Sequence, residues 1–287
     1  MKNKKSLLTA SSILIGTVVG AGFLGIPYVV SKSGFLIGVF YLISLGAIMM
    51  FLNLLLGEIS LRTKGDHQLT GYASIYLGKI GRRFMFFSQL FGIYFALLAY
   101  IIGISTSINF IFNYGNLNFV PLIGIVVWII FSLVISLKIN SIIKWIGFGA
   151  LTAPILILAI AFIHFPSVEY SNLQTIDLKN IFVPFGVILF SYLGFSATPE
   201  IERYLHGKEK LMKKTLIIGT FIPIIIYIIF TAIVIGVYGK SIPELSTFAF
   251  GNLVIVLGIV TMSTAYLSLS NALKDLYSFD YHMSRRK

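Results

Sequence analysis

The sequence predicts an all-α polytopic membrane protein, and three observations predict it. Hydrophobic residues make up 57% of the 287 and charged residues 11%, against roughly 25% charged in soluble domains. The charges leave long uncharged stretches between them. The basic residues gather on alternate connections. A water-soluble fold would lack polar surface to cover it, and 25 Phe with 15 Tyr exclude the low-hydrophobicity composition of a disordered chain. Cysteine is absent, which removes disulfides, thiolate metal sites, haem attachment and cysteine nucleophiles together; no cofactor is expected.

The elements follow from the uncharged stretches, which run from Ser6 to Ser31, Ser33 to Gly57, Phe84 to Leu137, Trp145 to Val168, Asn180 to Pro199, Thr215 to Gly239 and Leu245 to Leu273. A spanning helix needs about 20 apolar residues. The third stretch is long enough for two, divided by the turn-like segment Asn113-Tyr114-Gly115-Asn116-Leu117-Asn118. Eight spans are therefore predicted, near residues 7–31, 34–57, 84–111, 120–137, 142–164, 181–201, 214–237 and 248–273. Between the second and third, Leu69, Tyr72, Ala73, Ile75, Tyr76 and Ile80 suggest an amphipathic helix along the membrane.

With the N-terminus inside, 19 of the 22 basic residues fall on one side, leaving Lys32, Lys179 and Lys240 on the other. That asymmetry places both termini on the cytoplasmic side of a cell membrane. It also explains the formal charge of +12 through membrane lipid, whose anionic headgroups attract basic side chains, without a role for nucleic acid. Lys2, Lys4 and Lys5 before an apolar run and Val19-Gly20-Ala21 also have the order of a signal peptide. The uncharged run of about 26 residues exceeds a signal core of 7–15, which favours a retained span.

Two spans carry the same interruption. The first contains Gly16-Thr17-Val18-Val19-Gly20-Ala21-Gly22-Phe23-Leu24-Gly25-Ile26-Pro27, and the sixth contains Phe190-Ser191-Tyr192-Leu193-Gly194-Phe195-Ser196-Ala197-Thr198-Pro199-Glu200. Glycine and proline are poor helix formers, and a break in hydrocarbon is tolerated only where it faces protein or a polar cavity. Close packing through small residues is the bland account of the first segment. The sixth shifts the balance, because Gly22-Phe23 and Gly194-Phe195 are each followed by proline at the same spacing, 172 residues apart, on spans that run in opposite directions. Matched breaks of this kind point to an inverted-repeat transporter with its site where they meet. Residues 7–164 form the first five-helix repeat and 181–273 the first three helices of the second, within one transmembrane domain. Counterparts of spans four and five would lie near 292–336, beyond Lys287. The second repeat is then incomplete, or the sequence is the larger part of a longer product.

These segments, with Gly57-Glu58, Gly71-Tyr72, Tyr76-Leu77-Gly78, Phe185-Gly186-Val187 and Ala272-Leu273-Lys274-Asp275-Leu276-Tyr277, resemble the amino acid/auxin and aromatic amino acid permeases of the five-plus-five inverted-repeat superfamily. The resemblance covers nearly the whole chain. It implies secondary active transport of an α-amino acid, neutral or aromatic, by alternating access and coupled to H+ or Na+. Members usually have ten to twelve spans.

If both breaks form, Val19, Gly20, Ala21 and Gly22 offer unpaired half-helix amides to a substrate carboxylate. Carbonyls at Val18, Phe190, Ser191 and Gly194 are then free for an ammonium group. Thr17 and Ser196 are candidate hydroxyl donors, and Tyr192 and Phe195 candidate lining. Tyr94 and Tyr100 are about 240° apart on a helix, so they cannot both face one site. The resemblance implies hydroxyl ligands for a coupling ion at Ser263, Thr264 and Ser268, although such hydroxyls also bond their own backbone. Val18 is a further ion-site candidate through its carbonyl.

Glu58 and Glu200 are placed by helical rise near the cytoplasmic edge. Interfacial roles are weighed there against proton coupling, for which Glu200 is the candidate. His67, His164, His206 and His282 lie far apart and form no metal pattern. A membrane-embedded enzyme would need clustered acids, histidines or ligands, and a truncated inactive permease or assembly partner is the other alternative.

Overall fold

The computed structural model describes residues 2–112, 118–136, 152, 154–242 and 250–281. Every regular element among them is helical. The first span is two helices, α1 (Lys2–Val18) and α2 (Gly22–Ser33), bent by 54°. The cause is local. The Gly20 N–H reaches back only two residues, to the Val18 carbonyl at 2.9 Å, so the i→i−4 ladder stops there. Helix α2 therefore begins at Gly22, and within the interrupted segment residues 19–21 are the non-helical ones.

Helix α3 (Phe35–Arg62) is the second span and continues past its expected end at Gly57. Helix α4 (Leu69–Ile111) joins the expected amphipathic helix to the third span instead of leaving it separate. Gly78 at φ 69° marks the kink between them, in the left-handed region that favours glycine. Before the kink, Leu69, Tyr72 and Ala73 are buried, while Ile75, Tyr76 and Ile80 are exposed. The six apolar residues expected on one face are thus divided between two.

Helix α5 (Phe119–Ser136) is the fourth span. The fifth is described from Pro154 onward, as α6 (Pro154–Ser167), and a short α7 (Tyr170–Leu173) follows. The start of the expected fifth span, most of the Asn113–Asn118 turn, and His282 lie outside the described residues. The sixth span is broken as expected, into α8 (Val183–Ser191), a 3₁₀ turn at Phe195–Ala197 and α9 (Thr198–Tyr204). Here the backbone tightens to i→i−3 bonds, from Tyr192 to Leu189 and from Leu193 to Phe190. Pro199 lies in the first turn of α9, where a missing N–H removes no helical bond. Helices α10 (Met212–Tyr238) and α11 (Asn252–Asp275) are the last of the described helices, α11 running on through one π turn at Leu276–Asp280.

Helices α3, α4, α5, α10 and α11 are each long and apolar enough to cross a membrane, and α1 with α2 adds a sixth as one bent span. The all-α polytopic class is thus observed. Helix α10 packs on α1 and α3, α11 on α1 and α4, and α2 along α8. Phe23, Tyr192, Tyr227 and Phe230 are the largest aromatic side chains at the centre. The outer faces are apolar too: Phe84, Phe87, Phe91 and Phe95 of α4 and Leu122, Ile125, Ile129 and Leu133 of α5 are exposed. A surface of that composition is stable against lipid and not against water.

Candidate functional site

The two breaks touch. A Cβ added to Gly22 would lie 2.9 Å from Ser191 Cα, and one added to Gly194 would run into the Val18 side chain. Each glycine of one break is therefore seated on the residue that ends the preceding half-helix of the other. Gly20 is closed in on a third side, since its added Cβ would lie 2.8 Å from the Tyr100 hydroxyl and 2.9 Å from Ala265 Cβ. Close backbone approach is what glycine supplies here.

The backbone groups expected to be free are partly taken. The Val18 carbonyl accepts from Gly20 N–H at 2.9 Å and from the Tyr227 hydroxyl at 2.9 Å. Phe190 O accepts from Leu193 N–H, Gly194 O from Ala197 N–H and Ser191 O from Tyr227. A carbonyl has two lone pairs, so Val18 O is filled while Phe190, Ser191 and Gly194 keep acceptor capacity. The Ser191 hydroxyl donates back to Val187 O at 2.7 Å. Of the four amides expected to be free, two are taken, Val19 N–H by Ile15 O at 2.8 Å and Gly20 N–H by Val18 O, and in the first turn of α2 Leu24 N–H bonds back to Ala21 O. The helix start at Ala21 and Gly22 remains the arrangement that favours an anion.

A cavity of about 750 Å³ adjoins the breaks, lined by Phe190, Phe195 and Ser196 of the sixth span, Tyr100, Gln89 and Ile93 of α4, and Leu52 and Leu56 of α3. The two tyrosines of the third span are thereby separated. Tyr100 is buried and lines this cavity, while Tyr94 is exposed on the outer face. Tyr192, expected as lining, is instead buried in the core and donates to Leu42 O at 3.0 Å.

The hydroxyl candidates on α11 divide similarly. Ser263 donates to Ile259 O at 2.6 Å, and Thr264 to Thr261 O at 2.9 Å, both satisfying their own helix. Ser268 reaches across to Thr17, and these two hydroxyls share a buried hydrogen bond that ties α11 to α1. Thr17 also donates to Ile13 O at 2.8 Å.

The two acids expected to share one environment do not. Glu58 is exposed and paired with Arg62 at 2.6 Å, as an interfacial residue would be. Glu200 is 5% exposed, and among the described residues neither carboxyl oxygen has a well-formed hydrogen bond. Beside it are Asp275, Arg203 and Asn271, the last being the side chain placed to donate to it; Arg203 pairs with Asp275. Helical rise fixes only the distance along one helix, whereas α9 packs against α1 and α3, which bury Glu200.

Tyr227 and Asp280 carry no motif, and Asp275 lies in the Ala272–Tyr277 segment without being read there as a site residue. Tyr227 is one polar group in the run Ile224-Ile225-Ile226-Tyr227-Ile228-Ile229, and its isolation there was the available signal. Asp275 and Asp280 lie at the basic end of α11. Asp280 accepts from Gln68 N–H at 2.9 Å and Gly71 N–H at 2.7 Å, capping the first turn of α4. Burial raises its carboxyl above the usual aspartate range, against the lowering pull of those amides, His67 and Arg82. No group of three or more metal-ligating side chains occurs among the described residues.

The family model described as the tryptophan/tyrosine permease family matches residues 3–279. The chain is similar to "Tyrosine-specific transport system 1" of Haemophilus influenzae, 25% identical over 76% of this chain and 55% of that protein. It is likewise similar to "Tyrosine-specific transport system 2" of the same organism, 27% identical over 84% of this chain and 60% of the relative. "Glutamine transporter 2" of Aliivibrio fischeri is 26% identical over 80% of this chain and 61% of its own length. The chain thus spans less than two thirds of each of these curated relatives.

Proposed function

Because the chain belongs to the tryptophan/tyrosine permease family, we propose that it moves a neutral or aromatic amino acid, tyrosine foremost, across the cell membrane by alternating access. The observation that carries this reading is the contact between the two broken spans, with Gly22 seated on Ser191 and Gly194 on Val18 beside the cavity. The substrate carboxylate is assigned to the amides of Ala21 and Gly22, since Val19 N–H and Gly20 N–H are taken by Ile15 O and Val18 O. The ammonium is assigned to the carbonyls of Phe190, Ser191 and Gly194. Ser196 and Tyr100 face the side chain. A cavity lined mainly by uncharged groups suits an uncharged substrate side chain, because a buried guest charge without a partner costs several kcal/mol.

Of the two coupling ions, the geometry favours H+. Ser263 and Thr264 spend their hydroxyls on α11 itself, whereas Glu200 is a buried carboxyl beside Asn271 and one guanidinium shared with Asp275. Glu200 is assigned as the proton carrier. The two halves, residues 7–164 and 181–273, are read as inverted repeats, with both termini cytoplasmic.

The test is a thermal-shift screen of the purified chain against the twenty amino acids, with and without Na+ and at two pH values. Selective stabilisation by tyrosine or another neutral amino acid is expected through ligand linkage. Selective binding of arginine or glutamate rejects the specificity, and a folded chain stabilised by none rejects the transport reading for this chain.

A further inference from the structure

The ends of α1 and α8 meet at one atom. The Tyr227 hydroxyl lies 2.9 Å from Val18 O and 2.9 Å from Ser191 O, and these are the last residues of the two half-helices. Each helix C-terminus carries a partial negative charge of about half an elementary charge, so their convergence makes a place that favours positive charge. What fills it is a phenol, with one proton to share between two carbonyls.

The ring is fixed in position. Tyr227 is fully buried, stacked on Phe23 at 5.9 Å with 2° between planes, and 5.2 Å from the Tyr192 ring. Phe23 is in the first turn of α2 and Tyr192 directly follows α8, so the same side chain packs against both spans that it bonds. Val18 O is filled by Gly20 N–H and this hydroxyl. Ser191 O, which accepts from Tyr227, keeps a second lone pair.

We propose that Tyr227 is a positioning residue for the amino group of the substrate: its hydroxyl occupies the point where the partial negative charges of the two half-helix ends converge, and holds Ser191 O in place for the substrate ammonium. This rests on the amino-acid reading above. It adds that the ammonium site is assembled by α10, a helix outside both breaks.

Tyr227→Phe keeps the ring stack and removes the hydroxyl. The purified chain and this variant are titrated with tyrosine and with 3-(4-hydroxyphenyl)propionate, which lacks the amino group. The wild-type preference for tyrosine is expected to fall about tenfold in the variant, while the deaminated acid binds within about twofold of wild type. A merely structural hydroxyl would weaken both ligands together, and that result, or an unchanged preference, overturns the proposal. Amide hydrogen exchange without ligand is the second arm. Exchange at residues 192–195 is expected to quicken while residues 19–22, where Val18 O keeps its bond from Gly20 N–H, and the rest of the bundle are unchanged, and unchanged exchange at residues 192–195 overturns the proposal as well. A wild-type chain that binds neither ligand refutes the amino-acid reading, whereas a wild type that prefers tyrosine beside a variant that keeps that preference refutes the role of Tyr227 alone.

Discussion

Gly20, Gly22 and Gly194 serve one purpose by different contacts: each lets a backbone break approach a neighbour that a methyl group would push away. At Gly20 the neighbours are the Tyr100 hydroxyl and Ala265, so Gly20→Val forces α4 and α11 outward at the cavity. Overpacking of this kind costs about 1–3 kcal/mol. Because the strain falls on the site, tyrosine affinity is expected to drop about tenfold or more while insertion is retained. Binding measured by thermal shift and unchanged in this variant counts against the site. Glu200 is the other residue whose chemistry is exposed to a direct test. Glu200→Gln keeps the volume and the acceptor but cannot exchange a proton. In proteoliposomes, accumulation driven by a pH gradient is expected to be lost while tyrosine exchange across the membrane persists. Accumulation with the wild-type pH dependence would remove Glu200 from the coupling step.

At the scale of elements, the broken spans are held by partners on unbroken helices. Tyr227 of α10 joins the two breaks, the Thr17–Ser268 bond joins α1 to α11, and the Arg203–Asp275 pair joins α9 to α11. Asp280 does the same for the start of α4, through two backbone amides from the far end of the sequence. Asp280→Ala leaves both amides without their acceptor, at a cost of about 1–3 kcal/mol for a buried donor. The variant is therefore expected to melt earlier than wild type, with faster exchange confined to residues 68–77. Ionisation of this carboxyl gives the pH dependence its sign. Its folded-state value lies above the ordinary aspartate range, so its contribution is fully present below that range and is lost as pH rises through the raised value. Asp280→Asn is expected to flatten stability against pH in that window, and an unchanged slope would assign the dependence elsewhere.

For the whole molecule, the exposed phenylalanines and leucines of α4 and α5 form an apolar girdle, and the 19 to 3 division of basic residues leads to the expectation that its basic end is cytoplasmic. The chain has no cysteine, so single cysteines report sides without background. Gln174→Cys is expected to react with an impermeant thiol reagent from outside intact cells, and Lys64→Cys only after the cytoplasmic face is opened. The reverse pattern would invert the topology.

Composition and order along the chain carried the coarse facts. Hydrocarbon demands long uncharged helices, and Gly-Phe with a downstream proline at residues 22 and 194 marks where two of them fail, because helix propensity is a local property. Tertiary packing decided the rest. Rise along a helix could not tell Glu58 from Glu200, since burial depends on what lies beside a residue, and only the fold lays α1 and α3 over α9. Tyr100 and Tyr94 were equivalent as sequence and became cavity wall and outer surface when α11 packed on one side of α4. Tyr227 had no spacing or motif to mark it. Its role comes from two carbonyls more than 160 residues apart in sequence arriving within 2.9 Å of one oxygen, a coincidence that exists only after the helices have packed.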